Sequence, residues 1–181
     1  MTVILFHVFA YLSGCINGAY CISRFIYKQD IRSLGSGNAG ARNAGRNFGS
    51  IAFVGTVVVD TLKTIIPLAI ALYLFELPDW AFIGIGVSIM VGHIWPVHLK
   101  GQGGKGVVVY LALLLILAPY ILLFIGAIVG LGKLVGISSK YSGLIALSIV
   151  PFAFLIFTYF KLSVLFFILL GLVLFAHRKG S

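Results

Sequence analysis

Seven apolar runs, separated by short polar or glycine-rich segments, occupy most of this chain, a pattern suited to lipid rather than water. They cover residues 3–26, 48–75, 80–94, 107–117, 121–131, 142–160 and 162–176. About 20 apolar residues cross the hydrocarbon core of a bilayer as a helix. Only 9% of the 181 residues are charged and 61% are hydrophobic, with a mean hydropathy of +1.14. A soluble domain carries roughly a quarter charged residues. The prediction is an all-α integral membrane protein with seven transmembrane helices, forming one domain over residues 1–181.

Two readings compete for residues 107–131. One is a pair of short spans divided at Ala118-Pro119-Tyr120; the other is a single tilted helix kinked at the proline. Charge favours the pair. Seven spans place Arg24, Lys28, Arg32, Arg42, Arg46, Lys100, Lys105, Lys133, Lys140, Arg178 and Lys179 on the cytoplasmic side. Outside stand Lys161, Glu76 and Asp79, while Lys63 is within the membrane. That distribution obeys the positive-inside rule with the N-terminus outside and the C-terminus cytoplasmic. The net charge of +9 therefore points to cytoplasmic loops and to anionic headgroups or substrates; there is too little polar surface for nucleic acid.

The first run is too long for a signal peptide and lacks a basic flank, so it is expected to stay as a helix. Within it, Gly14 and Gly18 have the four-residue spacing that lets helices approach closely. Cys15 and Cys21 point in different directions on a helix, which excludes a disulfide and leaves them as small apolar residues. Asp60 and Lys63, three apart in the second run, share one helical side. Such charges are expensive in a membrane unless paired or facing a wet cavity. They form either an ion pair that orients the helix or a direct part of a site.

Residues 35–46 read GSGNAGARNAGR and are the least lipid-like part of the chain. Glycine permits positive φ and close approach to a ligand, and successive N–H groups in such a loop can form a nest for an anion. Arg42 and Arg46 add forked donors that suit phosphate. The stretch reads as a phosphate-binding loop, against the alternative of a flexible solvated turn. The topology brings residues 92–106, GHIWPVHLKGQGGKG, and residues 133–142 to the same face. Together the three segments supply Ser36, Asn38, Asn43, Arg46, His93, Lys105, Ser139 and Ser142. A set rich in donors and cations, with no carboxylate, suits a small phosphorylated ligand better than a metal ion.

His93 and His98, five apart with a proline between and no nearby Cys, Asp or Glu, do not make a zinc pattern. His93 remains open as a hydrogen-bond donor, a general base or a structural histidine. GQGGKG at residues 101–106 resembles a nucleotide P-loop only loosely. Gly106 stands where the Mg²⁺-binding Ser or Thr belongs, and no strand precedes it. Nucleotide binding is excluded; phosphate contact by Lys105 is not.

Taken together, these segments resemble the acyl-phosphate-dependent glycerol-3-phosphate acyltransferases of bacterial membranes. SGNAGARNAGR is similar to that family's first motif, S-G-N-x-G-x-T-N-x-x-R. GHIWPVHLKGQGGKGV is similar to its second, G-H-x-x-P-x-F-x-x-F-K-G-G-K-G-V. Ser139-Lys140-Tyr141-Ser142 fits its short S-x-x-S segment, and VDTLKTIIP, with Asp60 and Lys63, resembles its second helix. The match is in order and covers nearly the whole chain.

The resemblance implies transfer of an acyl group from acyl phosphate to the 1-hydroxyl of glycerol 3-phosphate, giving lysophosphatidic acid and phosphate without metal or cofactor. By motif position it implies Ser36, Arg46, His93 and Lys105 as catalytic residues. Gly37, Asn38, Arg42, Asn43, Gly103, Gly104, Ser139 and Ser142 would bind substrate. It also implies a multi-pass protein of the bacterial cell membrane, acting as a monomer with its active site on the cytoplasmic face. Three departures stand out. Arg42 replaces the family threonine, and Gln102 replaces a lysine, with Lys100 two residues earlier. The family continuation H-R-x-N-I-x-R-L stops after His177-Arg178. Two other readings of such a chain are a catalytically degenerate paralogue that binds a phosphorylated lipid precursor or a partner, and a small-solute transporter. Against transport, the polar residues gather at one face rather than at the midplane.

Overall fold

The computed structural model describes residues 1–75 and 77–178, except for the side chain of Asp79. Glu76 and Lys179, placed on opposite sides by the charge pattern, lie outside the described residues. In lipid every backbone N–H and C=O needs a protein partner, and a helix provides it locally. The described residues form helices and no strand. They are α1 (Thr2–Cys15), α2 (Gly18–Phe25), α3 (Ala41–Phe48), α4 (Ser50–Leu74), α5 (Asp79–Ile94), α6 (Val107–Leu117), α7 (Ile121–Leu134), α8 (Ser139–Ile156) and α9 (Phe160–Arg178). Single 3₁₀ turns stand at Ile31–Ser33 and Val97–Leu99.

Four segments are long and apolar enough to cross a membrane: Ser50–Leu74, Trp80–Leu99, Ser139–Ile156 and Phe160–Arg178. The pair α1–α2 makes a fifth, bent by 46°. Helices α6 and α7, with 11 and 14 residues, are apolar but shorter. They are separate helices on either side of Ala118-Pro119-Tyr120, so residues 107–131 do not form a single kinked helix.

The first run departs from expectation. Its sequence predicts one helix over residues 3–26, yet the backbone is extended at Ile16 and Asn17. The Asn17 side chain caps α2, its Oδ1 accepting from the Tyr20 N–H at 2.9 Å, as asparagine does at a helix start. A break at this depth leaves main-chain groups without helical partners. They find them on α4: the Gly18 N–H donates to Asp60 Oδ1 at 3.1 Å and the Ile16 carbonyl accepts from Lys63 Nζ.

Two prolines inside helices pose the same problem. Proline has no N–H, so the carbonyl four residues earlier loses its helical donor. For Pro67 of α4 that carbonyl belongs to Lys63, and it accepts from Ser13 Oγ of α1 at 2.7 Å. For Pro151 of α8 it belongs to Leu147, and it accepts from Tyr110 Oη of α6 at 3.0 Å. Each freed carbonyl thus ties its helix to a neighbour.

Helix α1 lies along α5, and Gly14 is what lets it. A Cβ at Gly14 would overlap the main-chain carbonyl of Ile89. The apolar core gathers Ile85, Ile89 and Met90 of α5, Tyr110, Leu113 and Leu114 of α6, and Phe166 and Leu169 of α9. Tyr110 and Phe166 meet edge to face at 4.9 Å between centroids. Around it, large apolar side chains such as Leu5, Val8, Leu12, Phe152 and Ile156 face outward, as lipid contact requires. A second, smaller core of Ala19, Ile31, Ala39, Ala44 and Ala52 seats residues 35–46 on the end of α2 and α4. Cys15 and Cys21 are both unpaired thiols.

Candidate active site

Asn43 organises the first glycine-rich loop from within. It is buried on the first turn of α3, and its Oδ1 accepts from the Ser36 N–H at 3.1 Å. Its Nδ2 reaches the carbonyls of Ile31, Leu34 and Asn38 at 3.2, 2.9 and 3.1 Å. One amide therefore draws residues 31–38 into a curl around itself, with Gly35 and Gly37 at φ +54° and +69°. Ser36, Arg42 and Arg46 are exposed on the outside of that curl.

The second loop folds back on the end of α5. The Gly103 and Gly104 N–H groups donate to the carbonyls of Ile94 and His93, each at 3.1 Å. The Ala39 N–H donates to the Gly103 carbonyl at 3.4 Å, and Asn17 Nδ2 donates to the Ala39 carbonyl at 3.0 Å. The two motif loops and the break in the first span are thus one hydrogen-bonded unit.

Beneath it lies a buried charged network. Asp60, Lys63 and His93 are 1%, 5% and 2% exposed, so their polar atoms depend on partners within the protein. Lys63 Nζ sits 2.8 Å from Asp60 Oδ1 and 2.8 Å from His93 Nδ1. The Asp60–Lys63 pair is therefore both an ion pair and a direct neighbour of a candidate catalytic residue. Asp60 Oδ2 is buried with no hydrogen-bond partner among the described residues.

Lys105 is half-buried just before α6. Burial, and secondarily the nearby charge of Lys140, hold its ammonium below the usual lysine range. Lys105, Lys140 and Arg42 all act electrostatically on His177 near the end of α9. Arg42 comes from the first motif segment, Lys105 from the second and Lys140 from the third. Arg42, which the family pattern does not predict, is exposed on α3. Among the described residues the side chains of Ser36, Arg42, Arg46 and Lys105 make no hydrogen bond, which leaves their donors for an anion.

The remaining candidates are placed less centrally. Asn38 contributes its carbonyl to Asn43. Ser139 is exposed at the start of α8. Ser142 is buried against Gly132 of α7 and donates to the Ser138 carbonyl at 3.3 Å, a role in joining α7 to α8. A cleft of about 400 Å³ opens beside the second loop, lined by Asp30, Arg32, Ser33, His98, Lys100 and Gln102. There Asp30 pairs with Arg32 at 2.6 Å and is held below the usual carboxylate range, first by the hydrogen bonds from the Arg32 side chain.

Residues 4–180 match the family model described as glycerol-3-phosphate acyltransferase. This chain belongs to the glycerol-3-phosphate acyltransferase family. The family member glycerol-3-phosphate acyltransferase 1 of Bacillus cereus is 34% identical over 97% of this chain and 96% of its own length. A glycerol-3-phosphate acyltransferase of Thermoanaerobacter pseudethanolicus is 35% identical over 99% of this chain and 90% of its own. The crystal structure of PlsY, an integral membrane glycerol 3-phosphate acyltransferase, superposes in its glycerol 3-phosphate form with a TM-score of 0.89. It is 27% identical over 99% of this chain and 90% of that one. Its lysophosphatidic acid form superposes with a TM-score of 0.86 at 26% identity. The acyltransferase reading and the multi-pass membrane fold therefore stand.

Sequence reasoning about this acyltransferase missed Asn17 and the contact of Lys63 with His93. A lone asparagine followed by glycine inside an apolar run was the available signal for the first. The second joins residues thirty apart and had none.

Proposed function

We propose that this enzyme transfers an acyl group from acyl phosphate to the 1-hydroxyl of glycerol 3-phosphate, yielding lysophosphatidic acid and inorganic phosphate. The hydroxyl oxygen bonds to the acyl carbon, the bond from that carbon to the phosphate oxygen breaks, and the hydroxyl proton ends on the departing phosphate. The observation that carries the reading is the hydrogen bond that joins the two motif loops, from the Ala39 N–H to the Gly103 carbonyl, on a chain whose family relatives bear the acyltransferase name. Glycerol 3-phosphate bound to the related PlsY crystal form supports the acceptor.

In this reading Ser36, Arg46 and Lys105 bind phosphate and orient the acceptor, with Gly37, Asn38, Asn43, Gly103 and Gly104 shaping the surface beneath. Phosphate is a good leaving group, so orientation and charge stabilisation supply most of the acceleration. The acyl chain lies along α8, where Tyr141, Leu144, Ile145, Ser148, Ile149 and Phe152 line a largely apolar groove of about 540 Å³. The groove begins one residue from Lys140.

Seven crossings fit the charges best, with α6 and α7 as short spans, the N-terminus outside and the site at the cytoplasmic face of a bacterial cell membrane. Arg24, Lys28, Arg32, Arg42, Arg46, Lys100, Lys105, Lys133, Lys140 and Arg178 then share one side. The chain acts as a monomer. Replacing Ser36, Arg46 or His93 by alanine in purified protein tests the site: each loses most of its lysophosphatidic acid formation, and full activity in any one removes that residue from the site.

A further inference from the structure

Every donor of Lys63 is engaged. An ammonium has three N–H groups and no acceptor, and three groups surround Lys63 Nζ: Asp60 Oδ1 at 2.8 Å, the Ile16 carbonyl and His93 Nδ1 at 2.8 Å. A carboxylate and a carbonyl only accept, so the third N–H points at Nδ1. The opposite assignment, an Nδ1–H donating to a neutral amine, would strip Asp60 of its cation while it is 1% exposed, and an unpaired buried charge is strongly disfavoured.

An imidazole whose Nδ1 accepts carries its proton on Nε2 when neutral. We propose that Lys63 is a positioning residue that locks His93 in the Nε2–H tautomer, so that His93 serves the active site as a hydrogen-bond donor and not as a general base. Of the roles open to His93 on sequence grounds, this geometry selects one. The ring cannot turn to offer its other nitrogen. Lys63 holds Nδ1 from one side, and on the other Gly104 packs so closely that a Cβ there would overlap Nε2 and Cε1. The Nε2 edge thus faces the loop that carries Lys105. Asp60 completes the device at one remove: it accepts from Lys63 and from the Gly18 N–H at 3.1 Å, fixing the ammonium to the break between α1 and α2. The buried charged pair in α4 therefore sets the chemical character of the histidine as well as closing the broken span.

The tautomer part of this inference rests on geometry alone; its catalytic part rests on the acyltransferase reading. The wild-type protein, labelled with ¹⁵N-histidine in a lipid nanodisc without substrate, gives the direct test. His93 is expected to show a bare, pyridine-type Nδ1 and a protonated, pyrrole-type Nε2, assigned by the signals missing in His93→Gln. In Lys63→Met the bare Nδ1 signal is expected to give way to a tautomer mixture. The kcat is expected to fall by about 10²-fold, the scale for losing one preorganised donor, with a much smaller change in KM. As a donor, His93 is replaceable by a glutamine amide, so His93→Gln should keep about tenfold more kcat than His93→Ala; a general base would leave both equally inactive. A wild-type signal with Nδ1 protonated overturns the lock, whether or not Lys63→Met folds, and equal inactivity of His93→Gln and His93→Ala overturns the donor role. The expected tautomer in a protein that transfers no acyl group supports the lock and overturns the acyltransferase reading alone.

Discussion

Gly104 lies against the edge of the His93 imidazole, where a Cβ would overlap Nε2 and Cε1 and come within 3.0 Å of the Ala39 carbonyl. A single methyl would therefore push on both motif loops at once. In Gly104→Ala, kcat is expected to fall by about 10²-fold, the cost of misplacing reacting groups by about 1 Å. The protein should still run as one monodisperse peak in detergent. Wild-type turnover in this variant would mean that the His93 edge is not at the site.

Asn43 gathers the first loop through Ser36, Ile31, Leu34 and Asn38. Asn43→Ala removes these four hydrogen bonds, leaving the carbonyls of Ile31, Leu34 and Asn38 only their main-chain donors at Leu34, Gly37 and Gly40, and is expected to lower stability by about 1–3 kcal/mol. It should also raise KM for glycerol 3-phosphate by an order of magnitude, because Ser36 loses its seat. A detergent melting curve and steady-state kinetics check the two effects separately; unchanged KM in a destabilised protein would place the loop outside acceptor binding.

Lys105 predicts a pH dependence with a definite sign. Burial and then Lys140 lower its pKa, so as pH rises it loses its charge earlier than an ordinary lysine. Binding of phosphate to the ammonium is then lost on the alkaline side, and kcat/KM declines there. Removing the neighbouring positive charge favours the protonated form, so Lys140→Ala should shift that alkaline limb to higher pH. A limb that moves to lower pH, or stays put, contradicts the electrostatic link between the second loop and α8.

Tyr110 reaches the carbonyl that Pro151 frees at Leu147, and Ser13 reaches the one that Pro67 frees at Lys63. Interhelical hydrogen bonds of this kind contribute about 1 kcal/mol. Tyr110→Phe and Ser13→Ala should each lower unfolding stability by about that amount. Tyr110→Phe should leave KM unchanged, since Tyr110 lies in the apolar core; Ser13→Ala should show a small loss of kcat, because the Lys63 backbone shifts with it.

The apolar runs, the division at Ala118-Pro119-Tyr120 and the meeting of the first two glycine-rich segments were legible in the sequence, because lipid imposes a helix on any long apolar segment and glycine-rich basic stretches cannot lie within it. The close approach at Gly14 was legible from its spacing for the same local reason. What was not legible depended on partners far along the chain. The break at Ile16–Asn17 persists because Asp60 and Lys63, more than forty positions away, satisfy the main chain it exposes. Asn43 read as a ligand-facing residue, yet its amide is used internally. Arg42 and Gln102 read as departures from a motif. The fold leaves Arg42 exposed on α3 and gives Gln102 a place on the cleft beside Lys100.

The most direct test of the central claim is product formation by purified protein supplied with a long-chain acyl phosphate and glycerol 3-phosphate. Wild-type protein should release phosphate and lysophosphatidic acid in equal amounts, with Lys105→Ala reduced to background while still folded. Wild-type product no higher than that of Lys105→Ala would contradict it.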